Sequence, residues 1–208
     1  VEEGRRRGFK GVSLLQHSVD TAAFHPEERD KKYDWSFVGA WSPRRMEFIE
    51  RALKVSGNGA IWGPKWIKKN PFNMGLRKAV KGRYIEGAAL VRLYNESRVV
   101  INVTNWGFGE GEKRSGMNMR VLEVPACGAL LLTDGSRDLK TVVTPGEHVV
   151  VYVGADDFER KLTEFIGDED VRDRIAAAGR EHVSRHYTYD HVAALITEVH
   201  NGIGRRGR

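Results

Sequence analysis

The sequence predicts an α/β fold: a doubly wound parallel sheet with helices on both faces and a helical C-terminal extension. Three observations carry this expectation. Short apolar segments that stop at glycine or a turn alternate with segments whose apolar residues recur at helical spacing, the pattern of βαβ units. Arg98-Val-Val-Ile-Asn-Val103 is a near-continuous β-branched run, as expected of a strand covered on both faces. From Ala155 onward the chain reads as helix alone.

Taken in order, residues 1–32 read as a lead-in in which Val12-Ser-Leu-Leu could form a strand. Trp35–Gly39 is a short buried strand ending in glycine. Pro43 then sits near a helix start, and Met46, Ile49, Ala52 and Leu53 give Arg45–Leu53 one apolar face. Ala60-Ile-Trp62 is the next strand. Trp66–Met74, rich in Lys, Asn and Pro, reads as loop, and Arg83-Tyr-Ile85 as a short strand. Ala88–Asn95 is expected to be helical, 98–103 a strand, and Asn105–Arg114, with three glycines and no period, a loop of functional length. A helix over Met117–Ala126, stopped by Cys127-Gly128, leads to a strand at Ala129–Thr133. A turn and short helix follow Asp134, and Val149–Tyr152 is the last strand. Helices are expected over Asp156–Ile166, Glu169–Arg185 and Tyr189–Val199. The main domain is thus expected over 33–200, with a basic tail at 201–208.

Composition narrows the classes. Among 208 residues, 40% are hydrophobic and 30% charged, which suits a packed core and excludes a disordered chain. Cys127 is the one cysteine, so a disulfide-stapled scaffold is excluded. No apolar run has the ~20 residues of a membrane span. The first residues lack the apolar segment of a secretion signal, so a cytoplasmic location is expected. The net charge of +6 favours anionic partners, although Arg5-Arg6-Arg7 and Arg205-Arg206-Gly207-Arg208 place part of it at the ends. Without zinc-finger spacing or an RNP-like motif, nucleic acid is not expected as a partner. Membrane contact through the basic ends would be peripheral at most.

In a doubly wound sheet, ligands bind beyond the carboxyl ends of the strands. That rule selects the segments Gly39–Arg45, Gly63–Lys69, Thr104–Gly116 and Thr133–Arg137. They hold Arg44, Arg45, Lys65, Lys68, Lys69, Lys113 and Arg114. Glycines at 39, 63, 107, 109, 111 and 116 would let a ligand approach the backbone. Four of the five tryptophans, Trp41, Trp62, Trp66 and Trp106, fall in or beside the same segments, as if lining one cleft.

Ser115-Gly-Met-Asn-Met-Arg-Val-Leu-Glu123 is the most informative stretch. Ser115 is a natural cap, and free N–H groups at a helix start can bind phosphate. Glu123, about two turns on, could accept hydrogen bonds from ribose hydroxyls. The same spacing allows a plainer arrangement, with Ser115 only a cap and Glu123 only an ion pair with Arg120. His182 and His186 are four apart on a helix, but no carboxylate motif completes a metal site, so no metal and no cofactor is expected. Cys127 reads as a buried, inert thiol.

The run Asn118-Met-Arg-Val-Leu-Glu-Val-Pro-Ala-Cys-Gly-Ala-Leu-Leu-Leu-Thr-Asp134 resembles the signature of group 1 glycosyltransferases, in the spore-maturation CgeB-like branch. Supporting matches are Tyr33-Asp-Trp-Ser-Phe-Val-Gly39, Pro145-Gly-Glu147, Ile175-Ala-Ala-Ala-Gly-Arg180 and His186-Tyr-Thr-Tyr189, which together span about 160 residues.

That resemblance implies a GT-B architecture, two Rossmann-like domains facing a cleft, of which this chain would be the C-terminal, donor-binding one. The acceptor-binding N-terminal domain would be its partner. Val1–Asp20, with Leu14-Leu-Gln-His-Ser-Val-Asp20, would be the interdomain crossing, and Tyr189–Val199 a helix returning to the other domain. A nucleotide-sugar donor would have its diphosphate at Ser115, Gly116, Met117, Asn118, Met119 and Arg120, and its ribose on Glu123. Its base would meet the backbone near Tyr84–Gly87, and Gly39, Trp41 and Ser42 would complete the donor site. Arg44 or Arg45, with Lys65, would neutralise the leaving phosphate. The broader group usually carries an acidic residue where this chain has Ser115. The implied reaction is glycosyl transfer, with retention, by charged side chains and helix N–H groups instead of a metal. A nucleotide-sugar epimerase and a non-catalytic nucleotide- or partner-binding module are the alternatives.

Overall fold

The computed structural model describes residues 6–8, 16–104 and 117–206, with side chains as far as 201. Six strands form one parallel sheet: β1 (Tyr33–Val38), β2 (Gly59–Trp62), β3 (Val80–Gly82), β4 (Ser97–Asn102), β5 (Leu130–Asp134) and β6 (Val150–Tyr152), in the order β3-β2-β1-β4-β5-β6. The helices are α1 (Pro43–Val55), α2 (Trp66–Lys69), α3 (Met74–Ala79), α4 (Gly87–Asn95), α5 (Arg120–Ala126), α6 (Leu139–Val142), α7 (Gly154–Gly167), α8 (Glu169–His186) and α9 (Tyr189–Arg206).

The central strands are mostly apolar because both of their faces are buried. Side chains alternate across a strand, so Trp35, Phe37, Val99, Ile101, Leu130 and Leu132 fall on one face with Phe48, Ile49, Phe158 and Leu162 of α1 and α7. Val100 and Leu131 fall on the other, with Val91, Tyr94, Val121, Leu122 and Val183 of α4, α5 and α8. Register follows: Trp35 lies opposite Val99, and Val99 opposite Leu130.

Local chemistry sets the helix starts. The Ser42 hydroxyl accepts from the Arg45 N–H at 3.3 Å, and Pro43 occupies the first turn of α1. Asp168 caps α8 through the Val171 N–H at 3.0 Å, with Glu169 and Asp170 in the first turn and Arg185 and His186 in the last.

Three sequence expectations need correction. Trp66–Met74 is not simply loop: α2 occupies its first four residues and α3 begins at Met74. Its Lys, Asn and Pro content hid two anchors, the buried Trp66 and the Asn73 cap on the Leu76 N–H at 2.9 Å. The edge strand is Val80–Gly82, not Arg83–Ile85, since Val80 pairs with Ile61 and Gly82 with Trp62. Finally, α5 starts at Arg120, not Met117. The expected strand at 12–15 and the glycine-rich loop with Ser115 and Gly116 lie outside the described residues.

The lead-in and the last helix meet. The Val19 N–H donates to the Tyr187 carbonyl at 2.8 Å, and the Tyr189 N–H to the Val19 carbonyl at 3.3 Å. Among the described residues no helix is long and apolar enough to cross a membrane.

Candidate functional site

Strand order reverses between β1 and β4, so the connections leaving these neighbours diverge and open a crevice at their carboxyl ends. The first turn of α1 sends two arginines across it. Arg45 donates from Nε to the Val103 carbonyl at 3.0 Å and from Nη1 to the Ala40 carbonyl at 2.9 Å. Its guanidinium lies 5.5 Å from the Phe37 ring centre. Arg44 donates from Nε to the Thr104 carbonyl at 3.3 Å, and its Nη2 is 3.4 Å from Asp134 Oδ2. These contacts brace the exit of β1 against the exit of β4.

Asp134, at the end of β5, is 2% exposed. Its carboxylate also accepts from the Thr104 N–H at 3.0 Å and the Thr104 hydroxyl at 2.5 Å. Burial pushes its pKa up, while Thr104 and Arg44 pull it down. Burial lowers the pKa of Arg45, and the nearby charge of Arg120 lowers it further.

Asn102 joins four segments. Its Nδ2 donates to Thr133 Oγ1 at 2.9 Å, its Oδ1 accepts from Asn118 Nδ2 at 2.8 Å, and its carbonyl accepts from the Tyr152 hydroxyl at 3.1 Å. The segment that opens α5 is thereby tied to the end of β4. Arg120, the first residue of α5, lies near the buried Tyr94 phenol, whose pKa burial raises against the opposing charge of Arg120. Among the described residues, Asn118 Oδ1 and Arg120 Nε of this corner are buried without a hydrogen-bond partner, as is Trp41 Nε1 in the segment after β1.

Glu123 is half-buried, and burial pushes its carboxyl above the usual range while Arg120 pulls it back. Among the described residues its side chain has neither hydrogen bond nor ion pair, so the plainer pairing with Arg120 does not form. Met119 precedes the helix in α-helical conformation without a side-chain cap, and Met117 packs against the core.

The remaining expected site residues are placed as follows. Gly63 (φ +155°) faces neither ligand nor open space: a Cβ there would lie 1.9 Å from the Gly39 carbonyl oxygen, which also accepts from Trp66 Nε1 at 2.8 Å. These glycines serve the close approach of two chain segments. Trp66 is a core residue at 1% exposure, while Trp41 is half-buried beneath the Lys69 ammonium, 5.5 Å from its ring centre. Lys65 is exposed, with a left-handed backbone (φ +74°) just before α2. Tyr84 is 76% exposed with Arg83 beside its ring. His182 Nε2 donates to the Val142 carbonyl at 2.7 Å and stacks on His148 at 3.9 Å. Among the described residues no cluster of three His, Cys, Asp or Glu could hold a metal ion.

Sequence reasoning singled out none of Asn102, Thr104 and Asp134, although Thr104 and Asp134 fall in the segments it selected. Each is a polar residue at or just past the carboxyl end of an apolar strand.

The family model described as "Glycosyl transferase-like" matches residues 44–198. The chain belongs to this glycosyl transferase-like family. It is 24% identical to the spore protein CgeB of Bacillus subtilis, over 93% of this chain and 62% of that protein. The C-terminal domain of a group 1 family glycosyl transferase (LpcC) from Francisella tularensis shares the fold, with a TM-score of 0.63 and 19% identity, over 82% of this chain and 98% of that one. So does HepE of Anabaena, solved in complex with UDP-glucose, with a TM-score of 0.68 and 12% identity, over 90% of this chain and 56% of that one. The fold of this glycosyltransferase-like chain is that of a GT-B C-terminal domain. The chain spans 62% of the curated relative it matches.

Proposed function

We propose that this chain is the donor-binding half of a glycosyltransferase, and that the corner between β1, β4 and α5 holds the diphosphate and ribose of a nucleotide sugar. The observation that carries this reading is Arg120: it opens α5 beside the tied pair Asn118 and Asn102, and among the described residues its buried Nε has no hydrogen-bond partner. Its charge and that of Arg45, whose pKa is lowered by burial and then by Arg120, suit a phosphate group, which would occupy the open donor. Glu123, with neither hydrogen bond nor ion pair among the described residues, suits the ribose hydroxyls. HepE is solved with UDP and with UDP-glucose, which supports a nucleotide ligand for this fold.

In the proposed reaction the glycosidic bond to the diphosphate breaks and negative charge grows on the departing phosphate. Arg120, Lys65 and the outer edge of Arg44 would meet that charge. Losing one such donor costs on the order of 3 kcal/mol of transition-state stabilisation. We read the transfer as retaining and independent of metal. The acceptor would be supplied by an N-terminal domain facing this one, so the chain alone should transfer little sugar.

Calorimetric titration with UDP, GDP, ADP and TDP tests the reading. We expect binding to at least one, unchanged by a chelator and lost in Arg120→Ala and Glu123→Ala proteins that keep their circular dichroism. A protein that binds none of the four overturns it.

A further inference from the structure

Residues 51–85 contain nine Lys or Arg and no Asp or Glu, more than the +6 net charge of the whole chain, so the remainder is net acidic. The fold gathers much of this charge on the corner formed by α2 and α3. Lys68, Lys69, Arg77 and Lys78 are exposed there, and among the described residues none forms an ion pair. Between the two helices the chain projects Phe72, 93% exposed, and Met74, 65% exposed.

This apolar tip is not the ragged edge of the core. Trp66, Leu76 and Ala79 beneath it are buried, at 1%, 0% and 0% exposure. The tip is also fixed: Arg77 Nη1 donates to the Pro71 carbonyl at 3.2 Å, the Asn73 N–H to the Asn70 carbonyl at 3.3 Å, and the Asn73 side chain caps α3. A hydrogen-bonded turn thus holds a phenyl ring and a thioether in water between the exposed cations of α2 and α3.

We infer that the α2–α3 corner docks on an anionic phospholipid surface, Phe72 and Met74 entering the headgroup–acyl boundary while Lys68, Lys69, Arg77 and Lys78 meet lipid phosphates. Charge complementarity selects this occupant, since apolar side chains encircled by cations match a surface that is anionic outside and apolar a few ångströms below. A nucleic acid would use the cations but leave Phe72 and Met74 in solvent. An apolar protein partner would leave the cations unused.

The test is sedimentation with vesicles of phosphatidylcholine mixed with phosphatidylglycerol, against vesicles of phosphatidylcholine alone. Binding is expected only to the mixed vesicles and should weaken with salt. The Phe72→Ser/Met74→Ser and Lys68→Glu/Lys78→Glu proteins should each bind about tenfold or more weakly. A Phe72→Cys protein carrying an environment-sensitive dye should shift to the blue on the mixed vesicles. Cys127 stays unlabelled, being 1% exposed with its thiol pushed up to about 12. The inference is overturned if the mixed vesicles are not bound, if Phe72→Ser/Met74→Ser leaves binding unchanged, if the dye does not shift, or if a DNA duplex binds more tightly than the vesicles.

Discussion

Asn118 donates a 2.8 Å hydrogen bond from its side chain to the side-chain oxygen of Asn102, sixteen residues earlier. The bond fastens the segment before α5 to the end of β4, one of the two strands where sheet order reverses. Asn102 is 2% exposed, so its oxygen has no water to fall back on. Asn118→Leu should therefore cost about 1–3 kcal/mol, the usual cost of an unsatisfied buried acceptor. In the same protein the affinity for nucleoside diphosphate should fall, because residues 117–120 lose their anchor. Urea unfolding and calorimetry measure the two effects separately.

Glu123 offers a prediction in pH. Burial raises its folded pKa above the ordinary carboxyl value of 4.5, so the folded state holds the proton more tightly than the unfolded chain. The stability associated with this group is fully present below the unfolded pKa and is lost as pH rises through the folded one. Glu123→Gln removes that loss. The variant should equal the parent near pH 4 and exceed it in stability at pH 7, while binding nucleotide more weakly. A variant no more stable than the parent at pH 7 would show that an unseen donor holds this carboxylate.

Much of this was legible before the structure. The alternation of apolar runs with helical periods was enough for the sheet, because β4 and β5 carry unbroken apolar runs (Val99–Ile101 and Leu130–Leu132) and α1, α4, α7 and α8 each show one apolar face. The Ser42-Pro43 start of α1 could be read from capping chemistry alone. What could not be read was anything decided by one long-range contact. The four-residue α2 exists because Trp66 is buried and bonds Gly39, 27 residues away. The three-residue β3 is set by its register against Ile61 and Trp62. In the site, arginine content predicted a basic corner. Only the fold shows that Arg45 spends its donors on backbone carbonyls, that Arg44 pairs with Asp134, and that Glu123 has no pairing partner among the described residues.

Gly63 tests the packing of the loops that follow β1 and β2. Its backbone is in a region that disfavours side chains, and a Cβ would collide with the Gly39 carbonyl, a backbone atom that cannot rotate away. Gly63→Ala should cost about 3 kcal/mol or more, placing it among severe substitutions. Gly57→Ala, where nothing lies within 4 Å of the new atom, is the control and should fall within about 0.5 kcal/mol of the parent. Thermal or chemical unfolding of the two proteins decides the matter.

Arg44 and Asp134 form an asymmetric pair: the carboxylate side chain is 1% exposed and the guanidinium 28%. Removing the cation strands a buried anion, which is the costly direction. Arg44→Met should destabilise by about 2–3 kcal/mol at pH 7, below the usual range for breaking a buried pair because Arg44 is partly solvated. The loss should depend on pH. Burial already raises the pKa of Asp134 above 3.8, and Arg44 is one of the groups opposing that rise. Without Arg44 the folded pKa climbs further, so the penalty grows as pH rises past the parent's folded pKa and is complete above the variant's. Arg44→Met should thus unfold at nearly the parent's denaturant midpoint in mild acid and well below it at neutrality. Adding Asp134→Asn to Arg44→Met removes the stranded charge and should recover part of the loss at pH 7 while flattening the pH profile. A penalty independent of pH in the single variant would mean that Arg44 stabilises through its Thr104 hydrogen bond and packing on Phe48, not through charge.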